Sequence, residues 1–206
     1  MEGKQYNAPP CFNVLEPERL GKFVWISGPP GLGKSTTAQL LNRNHGYVYY
    51  EGDCFFMGEG SRERKEMADK VVRQFRKMFR GEEFDFQVIE EGVRMICQDI
   101  KKERSRIGGD WAVCCVLHTR KIREIVREEL GEDLLVICLA MEPEEQMARI
   151  RSRHLGDEKV VERMKTVYNL CEPAGPDETN TCEVKIDSGK TPEDVLHLVL
   201  EKINTK

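Results

Sequence analysis

The chain has 206 residues, 33% of them charged and 39% hydrophobic, and a net charge of −4. That length suits one α/β domain with an elaborated edge better than two domains. The acidic balance excludes a general attraction to nucleic acid. The longest apolar run, Leu134 to Met141, falls far short of the roughly 20 residues of a membrane span.

In chain order, residues 1–20 carry Pro9, Pro10 and Pro17 without hydrophobic periodicity, and are expected to form an extension to a domain spanning 21–206. Met1 to Gln5 lack the apolar core of a secretory signal, so a cytoplasmic location is expected. Phe23 to Ile26 reads as a buried strand. It runs into Gly28-Pro29-Pro30-Gly31-Leu32-Gly33-Lys34-Ser35, and a helix is expected from Thr36 to Asn42. Tyr47 to Tyr50 is a second strand, ending at Glu51-Gly52-Asp53. A helical insertion, 54–110, follows: Val71, Val72, Phe75, Met78 and Phe79 share one face, Val88 to Ile100 supplies another, and Gly81 and Phe84 to Phe86 lie between. Ala112 to Leu117 is a third strand, Ile122 to Leu130 a helix, Leu134 to Leu139 a fourth strand, and Glu144 to His154 a helix behind Pro143. Cys182 to Ile186 is a fifth strand, and Thr191-Pro192-Glu193-Asp194 opens a last amphipathic helix. Strands alternating with helices imply a parallel sheet covered on both faces. Of eight cysteines, Cys114, Cys115 and Cys138 fall in these apolar runs and no Cys-x-x-Cys pair occurs, so reduced thiols are expected.

Residues 28–35 form a complete G-x-x-x-x-G-K-[ST] phosphate loop. Its glycines let successive N–H groups turn inward around a polyphosphate. Lys34 offers a compact charge to the β- and γ-phosphates, and the Ser35 hydroxyl is placed for Mg²⁺. The amides of Gly28, Gly31, Leu32, Gly33 and Thr36 complete a site for ATP, at the positive end of the following helix. Asp53 stands where ligands bind in an open α/β sheet, either to orient an acceptor hydroxyl or Mg²⁺, or simply to serve the turn. Arg149 and Arg153, four apart on one helix, suit a lid that closes over ATP in a region spanning 149–180. Arg120 and Arg123 are candidates for gripping an anionic acceptor, or else surface charge at a helix start. His118 reads as a neutral polar residue at the strand exit. Residues 62–80 hold eight Lys/Arg and three Asp/Glu, which makes either a cationic acceptor-binding flap or the wet face of a helix.

The pattern resembles the gluconokinase, shikimate kinase and nucleoside monophosphate kinase group of P-loop enzymes. The likeness to gluconokinases rests on Gly28 to Ser35, on Gly52-Asp53, on Cys114 to His118 followed by Arg123, on Arg149 and Arg153, and on Glu172-Pro173. It implies a three-layer α/β/α P-loop NTPase fold with a five-stranded parallel sheet, of the nucleoside monophosphate kinase kind. It also implies phosphoryl transfer from ATP with Mg²⁺ to a small metabolite, in a monomer or homodimer free of nucleic acid and membrane. Lys34, Asp53, Arg149 and Arg153 would be the catalytic set, with Gly189 near adenine. The lysine that gluconokinases carry after the third strand is His118 here, and their acceptor motifs have no counterpart in 54–86. Three readings stay open: a kinase of a sugar acid or polyol hydroxyl, a nucleoside or nucleotide kinase, and a nucleotide-binding regulatory protein without an acceptor site.

Overall fold

The computed structural model describes residues 20–57, 61–115 and 118–205; the expected N-terminal extension lies almost wholly outside them. Five strands alternate with helices: β1 (Leu20–Ser27), α1 (Lys34–His45), β2 (Val48–Glu51), α2 (Arg62–Phe79), α3 (Phe86–Ile107), β3 (Gly109–Cys114), α4 (Arg120–Leu130), β4 (Leu134–Ala140), α5 (Pro143–Arg153), α6 (Glu158–Asn169), β5 (Thr181–Lys185) and α7 (Pro192–Asn204). All strand pairs are parallel and the sheet order is β2-β3-β1-β4-β5. Side chains that alternate along β1 divide the core. Phe23 and Trp25 join α3 and α4 on one face, whereas Val24 and Ile26 join α1 and α7 on the other. Two covered faces explain why the strands read as unbroken apolar runs. No helix among the described residues is long and apolar enough to cross a membrane.

Because β1 lies between β3 and β4, the connection from β1 to β2 and the one from β3 to β4 run in opposite directions across the sheet. Such a switch point opens a crevice at the carboxyl edge of the strands. The insertion between β2 and β3 is a helical hairpin, α2 against α3, docked on that edge. Gly92 permits the close approach, since a Cβ there would stand 2.7 Å from Val71 Cγ2.

Three expectations need correction. The third strand starts at Gly109 and ends at Cys114, because Gly109 enters it at φ 76° rather than breaking the chain before it; Val116 and Leu117 lie outside the described residues. Between α5 and β5, where no regular element was expected, α6 forms under an Asp157 cap whose carboxylate accepts from the amides of Lys159 and Val160. The other boundaries shift by a few residues, as when α1 starts at Lys34 instead of Thr36.

Candidate active site

The β1–α1 loop is built to surround an anion. Gly28, Gly31 and Gly33 have φ of 141°, 85° and 82°, values that L side chains rarely adopt. Leu32 anchors the loop in the core, and Gln146 of α5 props it by donating Nε2–H to the Pro30 carbonyl at 2.6 Å. No side chain caps α1, so its first amides remain available for phosphate oxygens. Lys34 is buried, and its ammonium donates to the Pro29 carbonyl at 2.9 Å. Burial lowers its pKa from the ordinary lysine value, and the Asp53 carboxylate opposes that shift most. Lys34 and Asp53, read separately from the sequence, thus share one electrostatic site.

Beside them lies a carboxylate that motif reading missed. Glu51, the last residue of β2, pairs in register with Cys114 at the end of β3. Tyr49 donates its hydroxyl to Glu51 Oε2 at 2.6 Å, and the Cys114 thiol stands 3.2 Å from Glu51 Oε1 and 3.7 Å from Ser35 Oγ. Burial and the adjoining carboxylate push the thiol and the phenol up, so both stay protonated donors. Ser35 and Asp53 line one cleft, and Glu51 neighbours Ser35 through the Cys114 thiol; a hydroxyl and a carboxylate are the hard oxygen donors that suit Mg²⁺, completed by water and phosphate. The residues therefore fit both groups: the loop amides and Lys34 would hold the phosphates of ATP, and Ser35 would hold Mg²⁺.

The loop opens into a cleft of about 930 Å³ between α2 and α6, which Lys34, Ser35 and Asp53 line together with Phe56, Phe75 and Phe79. Arg76 and Arg80 of α2, Arg153 of α5 and Arg163 of α6 also face it. Arg80 is ion-paired with Glu82 at 2.7 Å. Arg76, Arg153 and Arg163 have no hydrogen-bond or ion-pair partner among the described residues. Arg163 escaped the sequence reading because α6 itself did; Asp157, Val160, Val161, Met164 and Val167 were the available signal.

Other expected site residues are engaged elsewhere. Arg123 is 1% exposed and grips Glu178 with two bonds of 2.7 and 2.8 Å. It also donates to the carbonyls of Glu172 and Pro173 at 2.8 and 3.0 Å. Arg120 pairs with Asp177 at 2.6 Å and Glu124 at 3.2 Å. Neither lines the cleft; here the pair ties the segment before β5 to α4. Arg149 donates to the Asp187 carbonyl at 3.3 Å and so holds the 187–190 turn, Gly189 included, against α5; unlike Arg153, it does not face the cleft. His118 is buried 2.7 Å from Ser27 Oγ. Burial and then the Arg123 charge depress its pKa to about 3, which keeps the ring neutral. The seven described cysteines outside the N-terminal segment are all free thiols.

No protein-family model and no curated protein matches the sequence. Solved structures do. A sugar kinase from Janibacter sp. superposes with TM-score 0.64 and 20% identity, over 89% of this chain and 95% of its own. A gluconokinase from Sinorhizobium meliloti gives 0.65 and 17%, over 91% and 94%. The chain has the fold of the P-loop small-metabolite kinases. An APS kinase from Mycobacterium tuberculosis, solved with AMPPNP and APS, shares that P-loop kinase fold with TM-score 0.59 and 16% identity, over 89% and 98%. At these identities it is the three-layer P-loop kinase architecture that is held in common.

Proposed function

We propose that this chain is an ATP-dependent kinase that phosphorylates a hydroxyl of a small anionic metabolite. One observation carries the reading: the phosphate loop with its buried Lys34 opens into the same cleft as Asp53 and three arginines that have no partner among the described residues. In the transfer, the acceptor oxygen forms a bond to the γ-phosphorus and its proton passes to Asp53. The bond from that phosphorus to the β–γ bridging oxygen breaks, and its electron pair leaves with ADP. Bound Mg²⁺ supplies charge neutralisation. Lys34 and Arg153 stabilise the charge spread over the transferring group, and closure of α5 and α6 excludes water. Arginine matches a carboxylate or phosphate with paired donors, so the cleft supports an acid over a neutral polyol. A sugar acid and a nucleotide both carry such an anion. The reading as a regulator without catalysis is disfavoured by the Asp53 carboxylate in the same cleft as Lys34.

The test is Mg-ATP-dependent ADP release screened over sugar acids, polyols, nucleosides and nucleoside monophosphates. A flat panel despite measurable Mg-ATP binding would move the chain out of the kinases. With the true acceptor, Asp53→Asn is expected to lower kcat by about 10²–10⁴-fold, the usual contribution of a positioned acid or base. Its affinity for Mg-ATP, read by calorimetry, should stay near that of the parent. Full turnover in that variant would remove Asp53 from the chemistry.

A further inference from the structure

We infer, building on the kinase reading above, that the acceptor is a nucleotide: a planar base and a phosphate on one molecule, held between α2 and α6. The walls of the cleft are of two kinds. On α2, Phe75 and Phe79 lie near-parallel, 19° apart with centroids at 6.3 Å, and Phe56 meets Phe75 edge-on at 5.6 Å. On α6, Met164 and Val167 face them across the opening. All three phenyl groups are half-buried, which leaves ring surface turned to the cleft. Outside this apolar slot stand the guanidinium groups of Arg76 and Arg163, four donor-rich cations being gathered here in all with Arg80 and Arg153.

That composition decides between the two anions. A sugar acid presents several hydroxyls, each needing donors and acceptors, and a site for it places polar groups of both kinds around the ring. Among the described residues lining this cleft beyond the phosphate loop, Asp53 carries the single carboxylate, Thr36 next to the loop adds one hydroxyl, and the rest are apolar or arginine. Arginine donates and does not accept. A flat base, by contrast, gains from stacking on phenyl or guanidinium planes without needing its edges read. Its phosphate suits Arg76 and Arg163. The carboxylate of Asp53 at the transfer point repels a phosphate nucleophile and receives a hydroxyl, so the nucleotide presents a sugar hydroxyl to ATP.

The experiment fills the triphosphate site first, because a nucleotide could otherwise bind there. With saturating Mg-AMPPNP present, the full-length protein is titrated by calorimetry with the four common ribonucleoside monophosphates, and with adenosine, ribose 5-phosphate and gluconate as partial ligands. At least one monophosphate is expected to bind about tenfold or more tighter than any partial ligand. Phe79→Ala should weaken it by about tenfold, as loss of a stacking ring does. Arg76→Gln should do so by about ten- to a hundredfold, as loss of a charge-assisted bond does. Arg76 is exposed and has no partner among the described residues, so that variant keeps its fold, and both variants should bind Mg-AMPPNP as the parent does. Tighter binding of gluconate, or no binding by any monophosphate while Mg-AMPPNP binds normally, overturns the nucleotide assignment and leaves the kinase reading standing. Failure of the parent to bind Mg-AMPPNP removes both.

Discussion

Arg123→Met is expected to lower folding stability by about 3–5 kcal/mol, because it strands a buried carboxylate. Glu178 is 2% exposed at its side chain and meets Arg123 at 2.7 Å, with a further bond from the Gly175 amide at 2.8 Å and Arg127 at 3.5 Å. Burial alone would raise this carboxyl, but the Arg123 and Gly175 hydrogen bonds prevail and hold it at about 2, against an ordinary 4.5. The pair ties the loop before β5 to α4, and the Glu172 amide adds a bond to the His118 carbonyl at 2.8 Å. Cutting it therefore frees the chain that follows α6, the helix that carries the cleft's far wall. Urea denaturation at neutral pH measures the loss; a change below about 1 kcal/mol would mean that the loop is held by other contacts. The apolar double variant Arg123→Met, Glu178→Leu should recover much of the stability, since it removes both fully buried charges and leaves only the part-exposed Arg127 without its partner. Acid separates the two proteins. Between 4.5 and 2 the unfolded chain binds more protons at Glu178 than the folded one. The pair's contribution is thus complete above 4.5 and lost as pH falls toward 2. The parent should lose stability over that window relative to the double variant.

What could be read from sequence follows from how locally each feature is encoded. The phosphate loop is contiguous, and its strand and helix flanks are set by apolar runs on either side, so the place of Lys34 and Ser35 at the start of α1 is legible from sequence. Parallel strands buried on both faces declare themselves as apolar runs, which is why all five were found. The engagement of Arg120 and Arg123 with the loop before β5 is not legible, because a helix start at the active edge looks the same whether its arginines face a ligand or a loop. The partner that decides, Glu178, lies 55 residues downstream of Arg123. Glu51 was passed over because its meaning depends on β2 lying beside β3, a long-range fact that no spacing reveals. Arg76 was noticed only as part of a basic run. Its lack of a carboxylate partner among the described residues, together with the Phe75 and Phe79 rings lining the same cleft, appears once α2 is seen across from α6.

Lys34→Met should lower kcat with the true acceptor by at least 10²–10³-fold, the cost of deleting one preorganised group aimed at transition-state charge. Lys34→Arg should fare little better. The loop closes on a compact ammonium that reaches back to the Pro29 carbonyl at 2.9 Å, and a planar fork does not fit that point-charge position. Stability is expected to move the other way. Burial, the largest influence on Lys34, lowers its pKa below 10.5, so in the absence of phosphate the charged side chain costs the fold free energy. Replacing it by methionine of similar length removes that cost, and the melting temperature should hold or rise as activity collapses. The pH dependence has a definite sign. As pH climbs through the folded pKa toward 10.5, the unfolded chain keeps the proton that the folded one sheds, so the parent gains stability and the gap to Lys34→Met narrows. Coupled ADP release and thermal melts from pH 7 to 10 test both halves. A variant that melts well below the parent at neutral pH would show that the ammonium is held chiefly for structure, through Pro29 and Asp53. Loss of turnover with an unchanged or raised melting temperature would place its charge in the transfer step.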